Sequence, residues 1–315
     1  MKLKPVRLAI SLGDPRGIGP EVAAAATRAI RAQAAASFIF VGPDNSSVKP
    51  EADHFVPVGV YVPGDLASAG QVAGRAIQTA AELVLRGEAD ALVTAPIDKY
   101  ALHAAGFYYP GHTEMLADLA GCEHVVMMLA AETTILGGAL RVVLATTHIP
   151  LVDVPRRFSQ ELLVEQATIT ADALRRDWNL PQPRLALCAF NPHASDSGLF
   201  GDEEERIYGP AIRQLRSSGI DVSDALPADT VFLRAGRGEF DVVIAPYHDV
   251  GMAAFKTAAF GHGVNVTLGL PFIRTSPDHG TALDIAGTGA ADPSSMEAAI
   301  QLAIRLANDS IQSRL

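Results

Sequence analysis

Cysteine is nearly absent: Cys122 and Cys188 are the only two in 315 residues. That excludes a disulfide framework and a CxxC metal knuckle, and it suits a reducing, cytoplasmic setting. Basic charge is scarce as well, with 25 Lys and Arg against 35 Asp and Glu and a net charge of -10. A general nucleic-acid or anionic-membrane surface needs a basic stripe, so neither partner is expected, and an anionic ligand must be met by local cations. No window reaches the ~20 apolar residues of a membrane span. The apolar run in MKLKPVRLAISLGDP stops at Gly13-Asp14-Pro15, where a signal sequence would continue, and reads as a first strand. G-x-G-x-x-G, Walker A and G-x-S-x-G motifs are missing too, which disfavours a Rossmann fingerprint, P-loop hydrolysis and the usual serine-hydrolase chemistry.

What is present is a large apolar fraction, 49% of residues against 19% charged, enough for a sizeable core commonly split into two lobes. Short β-branched runs at Val6–Leu12, Phe38–Val41, Ala91–Ala95, Arg141–Ala145, Leu185–Phe190 and Asp241–Ala245 predict buried strands. Amphipathic helices are predicted over Glu21–Arg31, Ala67–Arg86, Gln160–Asp177, Glu203–Ser217 and Ser294–Ile311. This alternation implies an α/β protein with a mostly parallel sheet and helices on both faces. Ligands of such sheets gather beyond the carboxyl ends of the strands. Three predicted strands lead there into histidines: His148, His193 and His248.

Three imidazoles with an open fourth position make a catalytic divalent-metal site; the alternative is hydrogen-bonded histidines at strand ends. His54, His103 and His124 lack a polar cluster and read as surface or satisfied structural histidines, while His262 stays undecided. Gly111-His112-Thr113-Glu114 precedes a helical pattern, where free N–H groups suit an anion, or where Thr113 merely caps the helix. Lys256, Asn265 and Arg274 lie in an apolar, glycine-rich stretch and invite a charged ligand, unless they pair with internal carboxylates such as Asp249 or Asp278.

Together the segments GDPRGIGPE, TAPIDK, GHTEML, VVLATTHIPL, FNPHASDSGLFGDEE, LPADTVF, APYHDVG and FGHGVNVTLGLPFIRTSPDHGTALDIAG resemble the 4-hydroxythreonine-4-phosphate dehydrogenase (PdxA) family across nearly the whole chain. The resemblance implies a fold of two α/β/α lobes around a cleft, like isocitrate and isopropylmalate dehydrogenases, which explains the missing glycine fingerprint. The expected lobes are 1–120 with 265–315, and 121–264, the second holding the metal ligands and dimer interface. The implied activity is metal- and NAD-dependent oxidation of a phosphorylated β-hydroxy acid that then decarboxylates.

By the same resemblance His148, His193 and His248 are ligands of a divalent metal, zinc first, with magnesium, manganese or cobalt as alternatives. His112, Thr113, Lys256, Asn265 and Arg274 bind substrate. Lys256 is also a proton-transfer candidate, and Asp229 and Asp249 are polar contacts near the chemistry. The site is shared in a homodimer, with His248 acting across it. His279, Gly280 and Asp284 lie in the loop that receives the cofactor's adenosine end; Asp284 suits a free ribose 2′-hydroxyl, favouring NAD over NADP, or else simply begins a helix. Arg16, Val250 and Ser195-Asp196 depart from the family pattern. They bear on the substrate, so a catabolic relative acting on a four-carbon sugar-acid phosphate or a cis-dihydrodiol carboxylate such as that from terephthalate is the second expectation. A non-catalytic ligand-binding protein is the third.

Overall fold

Every residue of Val6–Ser11, strand β1, is buried except Arg7, as a parallel strand covered on both faces requires. The computed structural model describes residues 5–259 and 261–312. They divide into two units, Met1–Val125 with Val264–Leu315, and Val126–Gly263. In the first unit β1 is followed by α1 (Gly19–Arg31), β2 (Ala36–Gly42), β3 (His54–Pro57), α2 (Leu66–Leu85), β4 (Ala91–Thr94), α3 (Lys99–Ala104) and α4 (His112–Ala120). The second unit contains β5 (Val126–Ala131), β6 (Leu140–Leu144), α5 (Val154–Arg157), α6 (Gln160–Asp177), β7 (Leu185–Cys188), α7 (Gly209–Ser217), β8 (Val222–Leu226), α8 (Ala228–Gly236), β9 (Val242–Ala245) and α9 (His248–Ala259). The chain then re-enters the first unit as β10 (Val264–Leu268), β11 (Arg274–Pro277) and α10 (Ser294–Gln312).

Strand order is β3-β2-β1-β4-β11-β10 in the first unit and β5-β6-β9-β7-β8 in the second. The ladders are parallel within each unit except β10 with β11 and β5 with β6. Side chains of alternate parity in the first unit serve two cores. Ala9, Ile39 and Leu92 pack with α2 and with Met115 and Leu116 of α4, whereas Leu8, Ile10, Phe38 and Val93 are just as buried on the opposite face. In the second unit Val142, Leu144, Val243 and Ala245 meet α8 and α9. The expected α/β architecture is therefore present.

Local chemistry starts the helices where the pattern suggests. The Asp65 carboxylate accepts the amides of Ala67 and Ser68 ahead of α2, and the Ser159 hydroxyl accepts that of Leu162 ahead of α6. Two segments differ from expectation. The helix expected over 203–217 is a π turn, Glu204–Tyr208, running into α7. Strand β7 is assigned to Cys188; the Ala189 amide still reaches the Leu226 carbonyl of β8, and the pairing ends there because the amides of Phe190 and Asn191 go to the Glu204 carboxylate.

Candidate active site

In the second unit β6 and β9 are neighbours, Val142 opposite Val243, and both run on into histidines. The two ends are fastened by the Ala145 amide on the Ala245 carbonyl, 2.9 Å, and by the buried Thr146 hydroxyl on the Pro246 carbonyl, 2.8 Å. This brings the His148 and His248 rings to 5.5 Å between centroids. Both rings line a pocket of about 100 Å³, together with Tyr247, Asp249 and the apolar Ile149, Leu151 and Val154 among others. His248 opens α9, and its Nδ1 lies 2.7 Å from Asp249 Oδ1. That contact fixes the ring and leaves Nε2 as the nitrogen open to a ligand. His193 follows β7, on the other side of β9, near Phe200. Among the described residues no group of three His, Cys, Asp or Glu side chains is gathered to hold a metal ion, so a single chain brings together two of the three expected ligands. Lys256 is half-buried on α9, and Asp229 is exposed in the first turn of α8.

Backbone strain marks the same places. Among the described residues, the non-glycine residues with positive φ are His148, Asn179, the run His193, Ala194, Ser195, Asp196 and Ser197, and Ala282. The left-handed region costs an L-residue about 1–2 kcal/mol. All but Asn179 lie in histidine turns or the expected cofactor loop, and strain of this kind collects at functional sites.

The first unit holds a buried cation. Arg274 on β11, Thr267 on β10 and Thr94 on β4 share one face of the sheet, and Arg274 donates to Thr94 Oγ1 at 2.7 and 3.2 Å and to Thr267 Oγ1 at 2.9 Å. Its partners are hydroxyls rather than Asp249 or Asp278, and Glu114 acts on it only through space. Burial pushes its pKa down to about 10. His112 opens α4 behind Gly111, which is the cap, so Thr113 is not the capping residue. Burial, then the charge of Arg274, hold the imidazole pKa well below its usual value, against a bond to the Ala95 carbonyl. His112 Nε2 and Asn265 Oδ1 are both buried without a partner. One fixed cation, one lone-pair nitrogen and one spare amide oxygen are thus offered within the first unit, a set that suits an anion carrying hydroxyl or amino groups.

The loop after β11 is fastened to the glycine turn of residues 13–19 between β1 and α1. The Ile18 amide donates to the Thr281 carbonyl at 2.9 Å and the Gly287 amide to Glu21 at 3.3 Å. His279 Nδ1 contacts the Gly280 carbonyl, and its Nε2 is buried without a partner. Asp284 is exposed among consecutive turns and does not begin a helix; α10 starts at Ser294, its amide held by Asp292.

The family described as Pyridoxal phosphate biosynthetic protein PdxA matches residues 17–303. The chain belongs to this family. A 4-hydroxythreonine-4-phosphate dehydrogenase of Geobacter metallireducens is 43% identical over 330 residues, covering 96% of this chain and 95% of the relative. The solved 4-hydroxythreonine-4-phosphate dehydrogenase of Klebsiella pneumoniae superposes with a TM-score of 0.84 at 37% identity, covering 96% of this chain and 99% of that one. A terephthalate 1,2-cis-dihydrodiol dehydrogenase of Burkholderia xenovorans LB400 gives 0.67 at 29% identity, covering 96% and 98%. Isocitrate dehydrogenase of Methylococcus capsulatus, at 0.51 and 17% identity over 98% and 88%, shares the fold alone, which bears out the expected fold class.

Seen as a PdxA-family chain, it also shows what residue-type reasoning passed over. Thr94 and Thr267 sit inside strands and carry no chemical signature until a cation is placed on them. Glu204 looked like one turn of a surface helix. Cys122 and Cys188 are both free thiols, and burial raises the Cys188 pKa to about 12, which leaves it inert. No described helix is long and apolar enough to cross a membrane.

Proposed function

We propose that this chain is a divalent-metal- and NAD-dependent dehydrogenase that oxidises the hydroxyl of 4-phosphohydroxy-L-threonine, in pyridoxal phosphate biosynthesis, to a β-keto acid that loses carbon dioxide. The observation that carries the reading is Arg274, a buried guanidinium held by two hydroxyls and no carboxylate. Burying a cation this way is costly unless an anion completes it. The phosphate in the relatives' printed names supports phosphate as that anion.

His148, His193 and His248 are the residues that would hold the metal, and imidazole donors favour zinc over magnesium, manganese or cobalt. When bound, such an ion supplies a Lewis acid that makes a neighbouring hydroxyl more acidic and favours negative charge beside it. Asp249 keeps the His248 tautomer, Nδ1 protonated, that ligation needs. His279, Gly280 and Asp284 would hold the dinucleotide, which supplies the hydride acceptor. Arg274, with Asn265 and Thr113, anchors the substrate's anionic end, and His112 contacts the substrate beside it. His112, neutral and bonded through its other ring nitrogen to Ala95, offers Nε2 as an acceptor for a substrate N–H or O–H. Lys256 is assigned the proton transfer or a second contact to the anion, and Asp229 a polar contact. A homodimer completes the site.

The test is NADH formation from 4-phosphohydroxy-L-threonine, four-carbon sugar-acid phosphates and terephthalate cis-dihydrodiol, each with and without chelator. Turnover of the first, abolished by chelator and restored by zinc, is the expected result. Turnover of a dihydrodiol alone, or of none, defeats it.

A further inference from the structure

The turn that carries His193 hangs from a carboxylate that no part of the proposed chemistry uses. Five successive non-glycine residues, His193 to Ser197, have φ between 43° and 63°, a left-handed turn that L-residues avoid and that persists only where its surroundings over-determine it. Its first internal bond runs from the Ala194 amide to the Asn191 carbonyl, 3.2 Å, and its last ones from Gly198 and Phe200 to the carbonyl of buried Ser195, 3.0 and 3.1 Å. Asn191 is therefore the root of the turn.

Glu204 holds that root three times. Its Oε1 accepts the amides of Phe190 and Asn191 at 2.9 and 2.8 Å, and its Oε2 accepts Asn191 Nδ2 at 2.9 Å. Glu203 Oε2 takes the other side of Nδ2 at 2.6 Å. The lock closes over Gly201, whose φ is +135° and where a Cβ would lie 2.6 Å from both Asn191 Nδ2 and Glu203 Oε2. Glu204 reaches the root because the chain makes a π turn at Glu204–Tyr208, and such insertions recur at functional sites. Below it Tyr208 is anchored by its hydroxyl on the Cys188 carbonyl, 2.7 Å.

We infer that Glu204 is a positioning residue: through Asn191 it fixes the left-handed turn that presents His193 to a divalent cation. The inference rests on the reading of His193 as a ligand. A metal ligand must be held in direction as well as in place, and removing outer partners of such ligands typically lowers metal affinity about 10–100-fold. Glu204→Ala removes all three bonds; Glu204→Gln keeps an acceptor for the two amides and opposes its own N–H groups to Asn191 Nδ2. Gly201→Ala disturbs the lock from its other side without touching Glu204.

The probe is Co²⁺, whose affinity is read from its visible absorption in competition with a chelator, on the full chain, alongside His193→Ala. Glu204→Ala and Gly201→Ala are expected to weaken Co²⁺ binding about 10–100-fold, with Glu204→Gln between them and wild type. Independently of any variant, the Phe190 and Asn191 amides of the native protein are expected to exchange slowly with deuterium. If His193→Ala loses affinity while folded Glu204→Ala and Gly201→Ala keep it, the positioning role is overturned and the ligand assignment survives. If His193→Ala itself keeps affinity, the ligand assignment falls and takes the inference with it. Fast exchange at both amides also overturns it, even where a variant fails to fold.

Discussion

Arg274 keeps its charge at neutral pH although burial pushes its pKa down to about 10, and Thr94 and Thr267 offer it only neutral oxygens. Replacing a buried, poorly compensated charge by an apolar residue of similar volume is often stabilising. Arg274→Met is therefore expected to raise folding stability by about 1–2 kcal/mol while raising KM for the anionic substrate. Inorganic phosphate should raise the Tm of wild type and not of the variant, and a thermal scan with and without phosphate checks both effects. A phosphate shift retained in Arg274→Met would remove its role. His112 gives a prediction of pH dependence. Its folded-state pKa is lowered, so the native state holds the imidazole neutral while the unfolded chain takes up a proton near the ordinary pKa of about 6.5. The contribution is full above that value and is lost as pH falls below it, by up to about 1.4 kcal/mol per pH unit, until the folded-state pKa is reached. Urea denaturation between roughly pH 7 and pH 5 should show this slope in wild type and a shallower one in His112→Gln; parallel slopes would place the effect elsewhere.

Gly17 ties the first glycine turn to the 281 loop. A Cβ there would stand 2.7 Å from the Thr281 carbonyl oxygen, so Gly17→Ala should push the loop away, at about 1–3 kcal/mol of stability. It should weaken NADH binding, read by fluorescence titration, while leaving phosphate binding at Arg274 intact. Equal NADH affinity would detach this loop from the cofactor. Elements with strong local chemistry were legible in the sequence: α6 spans Gln160–Asp177 as its period predicts, and the structure adds the Ser159 cap. Those whose residues serve a site were not. Strand β11 reads Arg-Thr-Ser-Pro, polar because one face lines the cation site, and β10 alternates Val264, Val266 and Leu268 with Asn265 and Thr267 for the same reason. The histidines stood out by type and by their place after strands. Thr94 did not, since it meets Arg274 across 180 residues of sequence, a separation no local pattern encodes. Glu204 was hidden by helical periodicity that the fold interrupts to use its carboxylate.

At the scale of the whole molecule, one chain gathers His148 with His248 and leaves His193 in a separate turn. Exposed Leu151 and Val152 follow the first turn, and exposed Leu199 and Phe200 follow the second. Apolar side chains beside the proposed ligands suit burial against a second copy of the chain. A site completed across the dimer by His193 or by His248 has the same consequence whichever of these two is lent. His193→Ala and His248→Ala homodimers each lack one ligand in both sites. A mixed dimer carries one site with both histidines intact and one with neither. Random re-pairing makes half the dimers mixed with half their sites whole, so mixing the two inactive variants should restore about a quarter of wild-type turnover. Were all three ligands drawn from one chain, every site in the mixture would remain defective. The measurement is NADH formation after the two variants are unfolded, mixed and refolded together, beside each variant refolded alone. Recovery near a quarter supports the shared site; activity no higher than either variant alone rejects it.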